Sequence, residues 1–172
     1  TQIEYITLHV GAGTFKPVKG ETIEDHEMHA EWIEVGMVLI NKIIQQITKP
    51  SNNTVIAVGT TSLRTIESLY WMGVKALANP NISIEEIPIK QWEVYALPQD
   101  IDAVVALQTL LQWFQKNNQD KIICKTHSGQ LPIKNCVCFN YEFSSTCIYI
   151  TFINCSSGWP RMEKYLSSCH GA

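Results

Sequence analysis

Short apolar runs alternate with amphipathic stretches along this chain, and the alternation predicts strands and helices in turn. Tyr5-Ile6-Thr7-Leu8-His9-Val10 is β-branched and half alternating, which predicts a strand. Two glycines and a proline in Gly11-Ala12-Gly13-Thr14-Phe15-Lys16-Pro17 dictate a loop. Polar residues from Glu21 to Glu31 follow, then a short strand at Trp32-Ile33-Glu34-Val35. From Met37 to Ile47 apolar residues (Val38, Ile40, Ile43, Ile44, Ile47) recur at helical spacing, and the helix must end before Lys49-Pro50. Thr54-Val55-Ile56-Ala57-Val58 is a continuous apolar run, the pattern of a parallel strand buried on both faces. Gly59-Thr60-Thr61-Ser62 turns the chain into a helix from Leu63 to Met72, with Leu63, Ile66, Leu69 and Tyr70 on one face. Asn79-Pro80-Asn81 marks a loop. A third helix runs from Asp102 to Lys116 on a stripe of Val104, Leu107, Leu110, Leu111 and Phe114, and Ile122-Ile123-Cys124 opens a further strand. This order predicts an α/β fold with at least partly parallel strands.

Composition narrows the class. The chain has 172 residues, 45% of them hydrophobic and 17% charged, which fits one globular domain and excludes a disordered tail or a coiled coil. No apolar run reaches the roughly 18–20 residues of a spanning helix, so no membrane is expected. The start, Thr-Gln-Ile-Glu-Tyr, has neither the basic region nor the apolar core of a signal peptide, and it opens directly into a strand. The chain therefore reads as a fragment of a longer protein.

Charge and cysteine divide it further. Residues 1–125 hold 10 Lys and Arg against 14 Asp and Glu, net −4, while residues 126–172 hold 3 against 2. Neither part has the basic excess of a stand-alone nucleic-acid binder. The first 123 residues contain no cysteine, and the remaining 49 contain all six: Cys124, Cys136, Cys138, Cys147, Cys155 and Cys169. Two different sequences read as joined.

Three motifs carry candidate chemistry. Gly11-x-Gly13 after a strand is reminiscent of a dinucleotide fingerprint, but Lys16 occupies the third glycine position and Pro17 follows. The loop is either a tight turn needing positive φ or a bare backbone that approaches a ligand. In Glu24-Asp25-His26-Glu27-Met28-His29-Ala30-Glu31, two imidazoles lie among carboxylates. The zinc-protease pattern fails because Ala30 stands where its second His belongs. A metal site, a solvated acidic stretch and general acid–base work by a tuned His all fit the cluster. In Ala57-Val58-Gly59-Thr60-Thr61-Ser62-Leu63-Arg64, hydroxyl residues open a helix after a buried strand. They suit N-capping, and the N–H groups there favour a carboxylate or phosphate. Arg64 is placed to add a bidentate clamp, or to pair with Glu67 one turn on.

Taken together, Thr7-Leu8-His9-Val10-Gly11-Ala12-Gly13-Thr14-Phe15-x-Pro17-Val18, Asp25-His26-x-Met28-His29-x-Glu31 and Ile56-Ala57-Val58-Gly59-Thr60-Thr61-Ser62-x-Arg64 with Glu67-Ser68 resemble the S-adenosylmethionine:tRNA ribosyltransferase-isomerase family of queuosine biosynthesis. The likeness covers about residues 1–126. It implies a fragment of a barrel-like α/β catalytic domain from a cytoplasmic enzyme, monomeric at full length. It implies transfer and isomerisation of the ribosyl group of S-adenosylmethionine onto a 7-aminomethyl-7-deazaguanine base at the wobble position of tRNA. Epoxyqueuosine forms, and adenine and methionine leave. S-adenosylmethionine is a substrate; no cofactor and no metal are implied. The expected proton-transfer residues are His26 or His29, then His9, with Glu31 orienting. Gly11, Gly13 and Thr14 are expected to hold the adenosyl portion. Thr60, Thr61, Ser62 and Arg64 are expected to receive the methionine carboxylate or a tRNA phosphate.

After Thr126 the likeness stops. The codons permitted for Cys138 to Phe152, read one nucleotide later, allow Val-Leu-Ile-Thr-Asn-Phe-His-Gln-Pro-Val-Ser-Thr-Leu-Leu-Leu, the motif the family carries next. Residues 127–172 are therefore expected to be an out-of-frame tail, irregular and not a domain, with the shift near Thr126–Ser128. Cys136-x-Cys138 lacks zinc-finger spacing, and a disulfide framework does not suit a cytosolic enzyme. Two other readings compete: a metal-dependent α/β hydrolase using His26, His29 and Glu31, and a non-catalytic RNA-binding remnant.

Overall fold

The computed structural model describes residues 2–9, 30–48, 53–90, 92–127, 137–139 and 147–154. Among these residues six strands and three α-helices alternate in part: β1 Gln2–His9, β2 Ala30–Gly36, α1 Met37–Ile47, β3 Asn53–Val58, α2 Thr60–Ala78, α3 Ala103–Lys116, β4 Lys121–His127, β5 Val137–Phe139 and β6 Cys147–Asn154. The strands form one sheet in the order β4-β2-β1-β6-β3-β5. Four of its five ladders are antiparallel; β3 with β5 runs parallel over three residue pairs. The mixed α/β character matches expectation. The barrel-like closure is not seen among the described residues, where β4 and β5 are the sheet's edges.

The pleat decides which side of the sheet meets the helices. On β1, Ile6 and Leu8 are buried while Ile3, Tyr5, Thr7 and His9 are exposed. On β2, Ile33 and Val35 are fully buried and Trp32 is exposed. Ile122 of β4 is buried opposite Val35. These inward residues form one core with Leu39, Ile40 and Ile43 of α1, Leu69 and Met72 of α2, and Leu110 and Phe114 of α3. Val55, Ile56 and Ala57 of β3 are all buried, so this strand is covered on both faces as its apolar run required.

The helices follow the sequence with instructive departures. α1 spans the expected residues, but Val38 is exposed and Leu39 takes its place in the core. α2 continues six residues beyond Met72 because Gly73 does not break it. A Cβ at Gly73 would lie 2.1 Å from the carbonyl oxygen of Ala106, so the missing side chain is what lets α2 and α3 cross this closely. Asp102 caps α3, its carboxylate accepting from the N–H groups of Val104 at 2.8 Å and Val105 at 3.2 Å. Asn118, at φ 51°, ends that helix in the left-handed region that asparagine tolerates.

The connection from α2 to α3 is long but ordered by side-chain bonds to its backbone. Lys75 Nζ donates to the carbonyls of Glu86 and Pro88 and pairs with Glu93 Oε1 at 2.8 Å. Trp113 Nε1 donates to the carbonyl of Ile82 at 3.0 Å, and Lys116 Nζ to that of Pro80 at 3.1 Å. Ile82, Ile87, Ile89 and Val94 are thereby held in the core.

The tail corrects one expectation. β5 and β6 lie within residues 127–172, read as irregular, and β6 sits between β1 and β3. Its sequence, Cys147-Ile148-Tyr149-Ile150-Thr151-Phe152-Ile153-Asn154, is β-branched or aromatic from Ile148 to Ile153, which suits a paired strand whatever its origin.

Candidate functional site

The sheet topology turns the strand ends that flank the three motifs toward one side of the sheet. β6 is antiparallel to both β1 and β3, so those two strands point the same way and end on the same side. β2 pairs antiparallel with β1 and therefore begins there. The C-terminus of β1 at His9, the N-terminus of β2 at Ala30 and the N-terminus of α2 thus share an edge of the sheet. Carboxyl ends of strands are where α/β sheets collect their ligands.

The placements differ residue by residue. His9 is exposed and sits directly opposite Trp32 across the β1–β2 ladder. Glu31 pairs with Thr126 in the β2–β4 ladder. Gly11, Gly13, Thr14, His26 and His29 lie outside the described residues. At this edge His9 lies beside the backbone of Glu31, while the α2 terminus is set apart from both. His9 and Gly59 stay apart: β6 intervenes, two strand spacings amount to about 10 Å, and the registers set Gly59 level with Ile6, three residues or about 10 Å short of His9 along the strands.

At the α2 terminus the turn is built by Gly59, whose φ of 88° excludes most side chains; no atom within 4 Å would crowd a Cβ, so conformation alone demands glycine. The expected hydroxyl cap is not formed: Gly59 is the N-cap, with no side-chain cap bond. The hydroxyls turn inward instead. Ser62 Oγ donates to the carbonyl of Val58 at 2.7 Å and Thr65 Oγ1 to that of Thr61 at 2.8 Å, both residues being wholly buried. Through this bond the Ser62 hydroxyl ties the helix back to the strand. Thr61 and Arg64 are half-buried, and Thr60 is the first residue of the helix.

One turn further, the buried face of α2 is unusually polar. Glu67 and Ser68 are each 2% exposed. Tyr70 is also buried, and its hydroxyl donates to the carbonyl of Ile101 at 2.8 Å. Burial, then the charges of Glu67, Asp100 and Asp102, raise this phenol above its ordinary value of 10.0. Sequence periodicity placed Tyr70 on the apolar face one turn after Glu67 but gave no sign of Asp100 and Asp102, which the end of the α2–α3 connection brings near. Trp32 was read only as part of a strand; its outward direction was available from the inward alternation of Ile33 and Val35.

Among the described residues no group of three or more His, Cys, Asp or Glu side chains is arranged to hold a metal ion, and no helix is long and apolar enough to cross a membrane.

Comparison with known proteins adds the family. The S-adenosylmethionine:tRNA ribosyltransferase-isomerase of Legionella pneumophila (strain Lens) is 56% identical over 66 residues, 38% of this chain and 19% of that protein. The chain thus matches about a fifth of the relative's length. No solved structure matches. The model of the family described as "Queuosine biosynthesis protein" matches residues 1–97, more than half of the chain, and the chain belongs to that family.

Proposed function

We propose that this chain is part of a transferase and isomerase of tRNA modification. In this reading it moves the ribosyl group of S-adenosylmethionine onto a 7-aminomethyl-7-deazaguanine base, giving epoxyqueuosine with loss of adenine and methionine. The observation that carries it is the 56% identity to a relative bearing that enzyme's name. The common direction of β1 and β3, with β2 beginning beside the end of β1, supports it. The acceptor is a tRNA with a modified wobble base, and the enzyme works as a cytoplasmic monomer. The sheet described above is part of a barrel-like α/β domain in the complete protein.

The chemistry suits these residues. A sulfonium acidifies the adjacent ribose C5′ protons, so an imidazole is a strong enough base. His29 or His26 removes that proton, with His9 at the strand end as the next candidate and Glu31 orienting the ring. Gly11, Gly13 and Thr14 admit the adenosyl portion. The first N–H groups of α2, following Gly59, suit the methionine carboxylate or a phosphate, with Thr60, Thr61 and Arg64 beside them. Ser62 serves by holding the turn. Residues 127–172 are an out-of-frame continuation that nonetheless supplies strands; DNA sequencing across codons 120–140 in independent isolates tests this, and an uninterrupted frame overturns it.

The reaction is tested by adenine release from S-adenosylmethionine with precursor-bearing tRNA, with the Legionella relative as positive control. Release by the frame-restored, full-length protein, lowered about 10²–10⁴-fold in a His26→Ala, His29→Ala double variant, is expected. No release by that protein under conditions where the relative turns over contradicts the proposal.

A further inference from the structure

The connection between α2 and α3, residues 79–102, packs against both helices and turns an aromatic, acidic surface outward. Trp92 is 41% exposed and Tyr95 57% exposed, and their rings stack with centroids 6.1 Å apart and planes 28° from parallel. Val94 between them is buried, so the short 3-10 helix Glu93–Ala96 is anchored by its inner residue and holds the two rings on its outer side. Backbone bonds gather acidic residues around this helix. Lys75 Nζ reaches both the carbonyl of Glu86 and the carboxylate of Glu93, which sets the Glu85–Glu86 turn beside it. Gln99 Nε2 donates to the carbonyls of Val94 and Leu97, each at 2.7 Å, which folds the neighbouring Asp100 back toward it. Glu85, Glu86 and Asp100 are exposed. Residues 79–102 hold five acids, Glu85, Glu86, Glu93, Asp100 and Asp102, against one base, Lys90, net −4. Residues 1–125 as a whole also carry −4, so the acidic excess of that stretch is concentrated here. Lys75 lies fifteen residues, or about 22 Å, along α2 from Thr60, which separates this surface from the helix terminus at Gly59.

We propose that this surface docks an arginine-bearing segment of a partner protein, a guanidinium lying on the exposed Trp92 indole and the carboxylates of Glu85, Glu86 and Asp100 meeting the segment's other charges. A cation over an indole face is attracted by the ring, and a carboxylate rim steers it there. Tyr95, stacked on Trp92, fixes the plane that the guanidinium meets. Arginine suits the site better than lysine, because its guanidinium is flat and weakly hydrated whereas an ammonium is compact and strongly hydrated. An RNA backbone is repelled by the same carboxylates. A second copy of this chain in a twofold contact would set these acids against themselves. The inference is independent of the reaction proposed above.

The test is fluorescence anisotropy of labelled nona-arginine, with nona-lysine as the equal-charge comparison, titrated with the chain at about 0.15 M salt. Nona-arginine should bind about tenfold more tightly than nona-lysine. Trp92→Ala should weaken nona-arginine binding about three- to thirtyfold and bring the two peptides level, and Trp92→Phe should keep part of the preference. Glu85→Gln combined with Asp100→Asn should weaken both peptides by about threefold or more and leave arginine preferred. Circular dichroism should be unchanged in all three proteins, because the altered side chains are exposed. Equal affinity of the unaltered chain for the two peptides, or a folded Trp92→Ala protein that still prefers arginine, overturns the inference. Should Trp92→Ala fail to fold, the Glu85→Gln, Asp100→Asn protein decides, and unaltered affinity there overturns it. A dimer in sedimentation that Trp92→Ala dissociates also overturns it, for then a second copy covers the rings.

Discussion

Single residues set the sharpest constraints on this fold. Gly73 has no room for a methyl group, since its Cβ would meet the Ala106 backbone at 2.1 Å and 2.5 Å. Backbone cannot rotate aside as a flexible side chain does, so Gly73→Ala should cost about 1–3 kcal/mol, read as a lowered urea midpoint. Tyr70 makes a pH-dependent contribution. Its phenol is raised above 10.0 in the folded protein, so the unfolded chain releases this proton first. The contribution is complete below about pH 10 and is lost as pH rises through the folded-state value. Tyr70→Phe should cost about 1 kcal/mol at neutral pH through loss of the bond to Ile101, and unfolding curves of the variant should fall less steeply above pH 10. Neither effect was legible in the sequence. Gly73 is an ordinary helix-weakening residue until α3 is laid across it, and Tyr70 an ordinary core residue until Asp100 and Asp102 are brought near.

Elements were easier to read than residues. α1, α3 and β3 follow from their apolar spacing nearly to the residue, because each buries a stripe or a continuous run that the sequence displays. Local propensity ends α2 at Met72, before Gly73, and gives no sign of the tertiary contact that carries it on to Ala78. β6 was missed because its text does not resemble the family, although its strand propensity was plain. The α2–α3 connection depends on a few long-range bonds, above all those of Lys75, which is 7% exposed. Lys75→Met keeps the volume but leaves Glu93 and two carbonyls without this donor. We expect a loss of about 1.5–3 kcal/mol and faster proteolysis between α2 and α3, seen by mass spectrometry of limited digests. If the digest pattern stays unchanged, the connection is held by Ile82, Ile87, Ile89 and Val94 instead.

At the scale of the whole molecule, the sequence carried the family and the three motifs, while the sheet order supplied their meeting place. Strand direction cannot be read from a strand's own residues; it took β6 between β1 and β3 to make the two motif-bearing strands run the same way. The central claim is that this shared edge binds S-adenosylmethionine. Isothermal calorimetry of the folded chain with that nucleoside tests it most directly. The account predicts saturable heat at one site per chain, diminished when Gly59→Val distorts the turn that opens α2. A folded chain that gives no heat of association, or a Gly59→Val variant that binds as well as the parent, contradicts it.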